Sequence, residues 1–101
     1  MPKDWESVSV ILTNETGLHA RPAVRLTQIA KSFPGRVEIA LSATGPWVDA
    51  KSPVKLMRVR APAGAQLHVR AAGKDASAIL EQIVNLAARR FDEDRQDESN
   101  G

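Results

Sequence analysis

The sequence predicts an α+β fold in which three helices cover one face of a four-stranded antiparallel sheet. Two patterns of apolar residues carry this prediction. Alternation of apolar and polar residues is typical of strands, and apolar residues at intervals of three or four are typical of amphipathic helices. Along the chain these patterns occur in the order β-α-β-β-α-β-α. One layer of helices on one face of the sheet buries the apolar sides of both kinds of element.

The first half of the chain predicts a strand, a helix and a hairpin. Alternation over residues 7–12 indicates the first strand. Helical spacing over about residues 20–33 indicates the first helix, which Pro34-Gly35 ends. Alternation returns at 37–41 as the second strand, and a turn leads into a short third strand at 47–50, as in a hairpin.

The second half predicts a short helix, a strand and a longer helix. Ser52 precedes Pro53 in the pattern of an N-cap followed by proline at the first helical position, and this helix should extend to about Met57. Alternation over 67–71 indicates the fourth strand. Asp75 can cap a last helix whose apolar residues form a single stripe.

Charge is distributed unevenly along the 101 residues. Five of the twelve acidic residues follow Phe91, so residues 1–91 carry 13 basic and 7 acidic side chains and a net charge of +6. We expect residues 1–91 to form one domain and residues 92–101 to be a disordered acidic tail. A basic domain can attract nucleic acid, anionic lipid or an acidic protein face, although dispersed, solvated charge is the simpler interpretation.

The composition argues against several kinds of site. The chain has no cysteine, and its two histidines are far apart in sequence, so we expect neither a metal site nor a cofactor. No segment approaches the roughly 18 apolar residues of a membrane span. The first ten residues lack the apolar core of a signal peptide. We therefore expect a soluble, cytoplasmic monomer that does not insert into membranes.

The segment Gly17–Ala23 combines residue types suited to a phosphoryl group. Its glycine predicts a turn, and Pro22 is tolerated in a first helical turn, which places His19 at the mouth of a helix. Unpaired N–H groups and the positive end of the helix dipole favour an anion there. Neutral imidazole is a nucleophile, and an arginine fork can hold phosphoryl oxygens. We therefore predict His19 as phosphoryl acceptor, with Gly17, Ala20 and Arg21 binding the phosphate.

These seven residues resemble the active-site signature of the HPr and NPr phosphocarrier family of the bacterial phosphoenolpyruvate-dependent phosphotransferase system. The resemblance extends from about Val8 to Phe91 and includes a Lys51-Ser52 helix start, a Gly64 turn and a final amphipathic helix. It implies an open-faced two-layer sandwich with sheet order 1-4-2-3. An isolated histidine would be better interpreted as a polar helix cap, but this combination favours the chemical role.

The resemblance also implies a function. Family members accept a phosphoryl group from phospho-Enzyme I on Nδ1 of the signature histidine, here His19, and pass it to a IIA-type protein. They act as stoichiometric carriers rather than enzymes, in sugar transport or in a nitrogen-related regulatory branch. Arg21 would compensate the moving charge, and both branches remain open for this chain.

Partner docking in this family uses the start of the first helix and the short second helix. The apolar candidates, each of which could equally serve the core, are Leu18, Val24, Pro53, Val54 and Met57. The cations that could surround this patch and meet acidic surfaces on Enzyme I and a IIA-type protein are Arg25, Lys55, Arg58 and Arg60.

Ser52 has two interpretations. It aligns with the serine that a dedicated kinase phosphorylates in many family members, which makes an HPr kinase a candidate partner. It also fits a plain N-cap in front of Pro53, with no regulatory role.

A different class of function is a non-catalytic regulatory or RNA-binding module that uses the basic domain. Sheet-based RNA readers stack bases on aromatic residues of their strands. This chain has two Trp and two Phe, and Trp47 is the one aromatic residue predicted in a strand. The phosphocarrier interpretation is therefore favoured, and we expect no nucleic-acid partner.

Overall fold

A four-stranded antiparallel sheet forms one layer of the protein in the computed structural model, which describes residues 5–92. Its strands are β1 (Glu6–Ile11), β2 (Arg36–Ala40), β3 (Val48–Asp49) and β4 (Gln66–Ala72). They lie side by side in the order β1-β4-β2-β3, and every neighbouring pair is antiparallel. The sheet order implied by the family resemblance is confirmed.

Three helices form the second layer: α1 (Ala20–Lys31), α2 (Pro53–Val59) and α3 (Ala76–Ala88). The α+β class and the element order are confirmed, with α1 ending two residues earlier and α2 two residues later than predicted. Within the described part of the chain, no helix is both long enough and apolar enough to cross a membrane.

The strand register explains why the alternating residues predicted the sheet correctly. Val69 of β4 pairs with Val8 of β1 on one side and with Ile39 of β2 on the other. Val69 and Ile39 are fully buried, and Val8 packs against the same core. In each strand, the residues directly before and after these three project to the opposite face, as strand geometry requires. His68 of β4 is half-buried and pairs with Ser9 of β1.

The face of the sheet opposite the helices carries a cluster around Arg70. Its guanidinium lies 4.0 Å from the ring centroid of Trp5 and 4.1 Å from that of Trp47. It also donates two hydrogen bonds, of 2.7 and 3.0 Å, to one carboxylate oxygen of Glu38. Trp47 was predicted within the third strand, but β3 comprises only Val48–Asp49.

The C-terminal end of α3 is fixed to the rest of the domain. Phe91 is fully buried, and Asp92 forms an ion pair of 2.9 Å with Arg89 and one of 3.8 Å with Arg25. The hydrogen bond from Arg89 to Asp92 raises the pKa of that guanidinium above its ordinary value. Asp92, predicted as the first residue of the acidic tail, therefore takes part in the fold. The other tail residues, 93–101, lie outside the described part of the chain.

The predicted capping of α3 by Asp75 is wrong. Asp75 occupies the N-cap position, but its carboxylate makes no capping hydrogen bond. Its φ of 67° lies in the left-handed region, whereas a side chain that caps a helix starts from extended backbone. The helix begins there because Asp75 closes a turn after Gly73, whose carbonyl oxygen accepts from the amide of Ala76 at 3.2 Å.

Candidate functional site

His19 occupies the N-cap position of α1, as its place in the sequence predicts. Its backbone is extended, with φ −123° and ψ 168°, and its carbonyl oxygen accepts the first helical hydrogen bond from Ala23 at 3.1 Å. The imidazole makes no capping hydrogen bond and the residue is exposed. The ring is therefore accessible to another molecule at the mouth of the helix.

The first turn of α1 consists of Ala20, Arg21 and Pro22. Ala20 and Arg21 are exposed, whereas Pro22 is buried and anchors the turn. Backbone N–H groups of a first turn have no acceptor within their own helix, and no acidic residue lies in this turn to neutralise its positive end. The turn thus brings the predicted phosphate-binding residues Ala20 and Arg21 next to His19, at the positive end of the helix dipole.

The loop before His19 is organised by Asn14, a residue that sequence reasoning missed. Asn14 is fully buried, and its Nδ2 donates to the carbonyl oxygen of Gly17 at 2.8 Å. An Asn three residues before a turn glycine is a signal that could have found it, because Asn side chains commonly bond to turn backbone. The contact fixes the direction from which the chain enters α1.

Gly17 is required by its backbone and by its surroundings. Its φ is 67°, and a Cβ atom there would overlap the carbonyl oxygen of Ala61 and approach the carbonyl carbon of Pro62 to 2.7 Å. The loop before His19 thus packs directly on the segment that follows α2. The role of Gly17 in phosphate binding stays a prediction.

Leu18 was an apolar docking candidate that could equally serve the core, and the structure places it in the core. Only 1% of its surface is exposed, and it belongs to the hydrophobic core. Its N–H donates to the carbonyl oxygen of Ala61 at 2.9 Å, which fixes the backbone of Leu18 against the loop that follows α2. Leu18 thus supports the site from the core side, as part of the wall beneath His19.

A shallow pocket of about 470 Å³ lies beside His19. Thr16, Leu18 and His19 line it from the loop that enters α1, and Met57, Arg60, Ala61 and Pro62 line it from the end of α2 and the loop after it. The pocket thus joins the two helices that the family resemblance assigns to partner docking.

The remaining predicted docking residues fall into separate places. Val24 and Val54 are exposed, by 41% and 55%, and Pro53 is half-buried at the start of α2. Lys55 and Arg58 line a second pocket of about 260 Å³, which shares no lining residue with the His19 pocket.

Arg25 forms an ion pair with the end of the described chain, and its place around the docking patch stays a prediction. Its guanidinium pairs with Asp92 at 3.8 Å, beside the C-terminal end of α3. The first acidic residue after Phe91 thus draws this cation toward α3, which the sequence pattern of α1 could not indicate.

Ser52 is the N-cap of α2. Its hydroxyl oxygen accepts from the amide of Lys55 at 3.2 Å, so the N-cap interpretation is confirmed. Phosphorylation of this serine stays a prediction. In residues 5–92, no group of three or more His, Asp or Glu side chains could hold a metal ion.

Comparison with known proteins places this geometry in context. The family model described as "PTS HPr component phosphorylation site" matches residues 6–89. The phosphocarrier protein HPr of Cupriavidus necator is 35% identical over 82 residues, which cover 81% of this chain and 90% of that protein. The phosphocarrier protein NPr of Escherichia coli K12 is 31% identical over 86 residues, covering 85% of this chain and 94% of that protein.

Solved structures agree with this relationship. The crystal structure of HPr-C-His from Thermoanaerobacter tengcongensis superposes with a TM-score of 0.79 at 30% identity, covering 87% of this chain and 97% of that one. The family model and the relatives span most of the sequence, and the TM-score shows that the fold is shared. The chain belongs to the HPr family of phosphocarrier proteins of the bacterial phosphotransferase system.

Proposed function

We propose that His19 accepts a phosphoryl group from phospho-Enzyme I and passes it to a IIA-type protein. The chain then works in the cytoplasm as a stoichiometric carrier rather than an enzyme. The observation that carries the proposal is the exposed imidazole at the mouth of α1, which makes no capping hydrogen bond. Both the sugar branch and the nitrogen-related branch of the system stay open, since the chain is similar to proteins named HPr and to proteins named NPr.

The transfer is a nucleophilic substitution at phosphorus. The lone pair of one imidazole nitrogen of His19, implied by the family resemblance to be Nδ1, forms the new P–N bond as the bond from phosphorus to the donor breaks. The other ring nitrogen keeps its proton. In the onward step the His19 nitrogen is the leaving group and recovers its lone pair, so the carrier returns unchanged.

Charge around the phosphoryl group would be compensated by the first turn of α1. Arg21 can present two parallel N–H donors to phosphoryl oxygens, and the first-turn amides add the positive end of the helix dipole. A dipole interaction at an exposed helix end contributes roughly 0.3–1 kcal/mol. Such modest binding suits a carrier, because a group held tightly in the ground state would be passed on slowly.

Partners would dock over the two helices that border the His19 pocket. Val24 and Val54 offer exposed apolar contacts on α1 and α2, and Met57 lines the pocket itself. Apolar residues close to the reacting group can exclude water from a docked complex, while surrounding cations steer an acidic partner into place.

Phosphorylation assays with purified proteins test the proposal. Incubation with phosphoenolpyruvate and Enzyme I should place an acid-labile phosphate on the wild-type chain and on His68→Ala, but none on His19→Ala. His68 is the matched control because it is the second histidine and lies on the face of the sheet opposite the helices, away from His19. Circular dichroism should show that both variants fold. Labelling of His19→Ala at the wild-type rate would refute the assignment.

A further inference from the structure

Arg60 ends α2 in a backbone conformation that arginine rarely adopts. Its φ of 57° and ψ of 42° lie in the left-handed region, where a side chain with a Cβ atom is strained and glycine is not. Glycine is the residue that most often ends helices in this way. A strained arginine at a position that glycine would fill without cost is a reason to ask what its side chain does.

The left-handed turn at the end of α2 brings Arg60 to the pocket beside His19. Arg60 and His19 both line this cavity. Each is one residue away from the hydrogen bond that joins Leu18 to Ala61, so a short backbone contact fixes the two positions relative to each other. The left-handed turn ends α2 here and delivers the chain directly to Ala61.

Charge also distinguishes this residue. The side chain of Arg60 is exposed and forms no ion pair or hydrogen bond with any other residue between 5 and 92. Among the residues that line the pocket, Arg60 and His19 are the two with ionisable side chains. An unpaired guanidinium beside a nucleophilic imidazole is suited to an anion that forms on that ring.

We propose that Arg60 binds the phosphoryl group carried by His19, as a second guanidinium beside Arg21. The inference rests on the function proposed above and adds a binding residue from α2 to a site otherwise built by α1. The phosphorylated carrier then bridges the two helices through its own phosphoryl oxygens. Without the phosphoryl group, the neutral imidazole and the N–H groups of the helix mouth offer the Arg60 guanidinium no anionic acceptor.

Phosphorus NMR of the isolated phosphoprotein tests this directly. The protein is phosphorylated chemically with phosphoramidate in a His68→Ala background, so that His19 is the one histidine available. A guanidinium close to the phosphoryl group favours its dianion and lowers its pKa. Arg60→Gly should therefore raise the pKa of the phosphoryl group, and Arg60→Lys should restore most of the difference. Transfer from phospho-Enzyme I should fall about tenfold in Arg60→Gly.

Lys74→Gln is the control for loss of one positive charge. Lys74 is exposed, and its neighbour Gly73 lies close to Phe33, since an added Cβ at Gly73 would contact that ring. Phe33 follows the C-terminal end of α1, so Lys74 lies at the opposite end of that helix from His19. It should leave the phosphorus titration unchanged. Thermal unfolding controls for structure, because Arg60→Gly relieves backbone strain and should unfold at the wild-type temperature or above it.

Two results would overturn the proposal. One is a phosphorus titration of Arg60→Gly that matches wild type or Lys74→Gln. The other is a defect confined to transfer with an unchanged titration, which would mean that Arg60 contacts the partner protein instead. Failure of the function proposed above is a separate result, because the wild-type chain would then accept no phosphate from Enzyme I while the chemically prepared phosphoprotein still reports on Arg60.

Discussion

The amide of Leu18 donates a hydrogen bond of 2.9 Å to the carbonyl oxygen of Ala61. This contact joins the loop that carries His19 to the loop that follows α2. Gly17, beside it, lies so close to Ala61 and Pro62 that no Cβ atom fits between them. The relative position of the two helices at the site is therefore fixed by backbone packing, and variants of the glycine should reveal how much stability depends on it.

We expect Gly17→Ala to destabilise the fold by about 2–4 kcal/mol, because it adds a backbone clash to the strain of a left-handed alanine. Gly64→Ala is the matched control: its φ is also positive, at 88°, but an added Cβ meets no atom within 4 Å. This control should lose only about 1 kcal/mol. Urea unfolding measures both, and equal losses would show that the contact with Ala61 is unimportant.

Ser52 provides a second test of local structure. Replacement by Ala removes the acceptor of the Lys55 amide and should cost about 1 kcal/mol in the free energy of unfolding. Ser52→Asp should keep most of that stability, since aspartate caps equally well and its charge favours the helix N-terminus. Thermal unfolding of both variants decides the matter. If Ser52→Asp proves as unstable as Ser52→Ala, the hydroxyl is not acting as a cap.

Local patterns predicted the elements of this fold because burial of one face imposes a period on each strand and helix. Val69 is an example: its alternation with polar neighbours predicted that it faces the core, where it is fully buried. The sheet order came from the family resemblance instead, since periodicity within an element carries no information about its neighbours. His19 and Arg21 could be located for a related reason, because a turn glycine and a first-turn proline are local signals.

Contacts between distant parts of the chain could not be predicted in the same way. Trp5 lies beside Arg70 only because β1 pairs with β4, with Ser7 opposite Arg70. Leu18 is buried in the core, and its amide bonds to Ala61, a contact that depends on how α2 ends.

The rings of Trp5 and Trp47 both lie against the Arg70 guanidinium, which covers one face of each ring. A sheet-based RNA reader would offer such a face to bases, so this packing argues against that alternative function.

Arg21→Ala should slow phosphoryl transfer about tenfold in both directions while leaving the fold intact. The side chain is exposed, so little packing is lost, whereas charge compensation at the moving phosphoryl group is removed. Lys31→Ala is a suitable control, since Lys31 is an exposed cation at the other end of α1. Rapid-quench measurements of transfer from phospho-Enzyme I and back to it provide the rates. Rates equal to those of Lys31→Ala in both directions would remove Arg21 from the site.

The cations of α2 should act on encounter rather than on chemistry. Lys55 and Arg58 are exposed and line a pocket separate from that of His19, so they can attract an acidic partner without touching the phosphoryl group. Electrostatic steering can raise association rates by about tenfold or more, and it weakens as salt shortens the Debye length from roughly 30 Å at 0.01 M to about 8 Å at 0.15 M. The effect of these residues should therefore depend on ionic strength.

Reversal of Lys55 and Arg58 to Glu should lower the second-order rate with phospho-Enzyme I about tenfold or more at 0.01 M salt and much less at 0.15 M. The double reversal of Lys31 and Lys74 to Glu changes the net charge equally, but at the far end of α1. It should have the smaller effect at low salt, since the altered charges lie away from the docking surface. An equal loss at both ionic strengths would mean that Lys55 and Arg58 act by direct contact, and equal losses in the two double variants would attribute the effect to net charge alone.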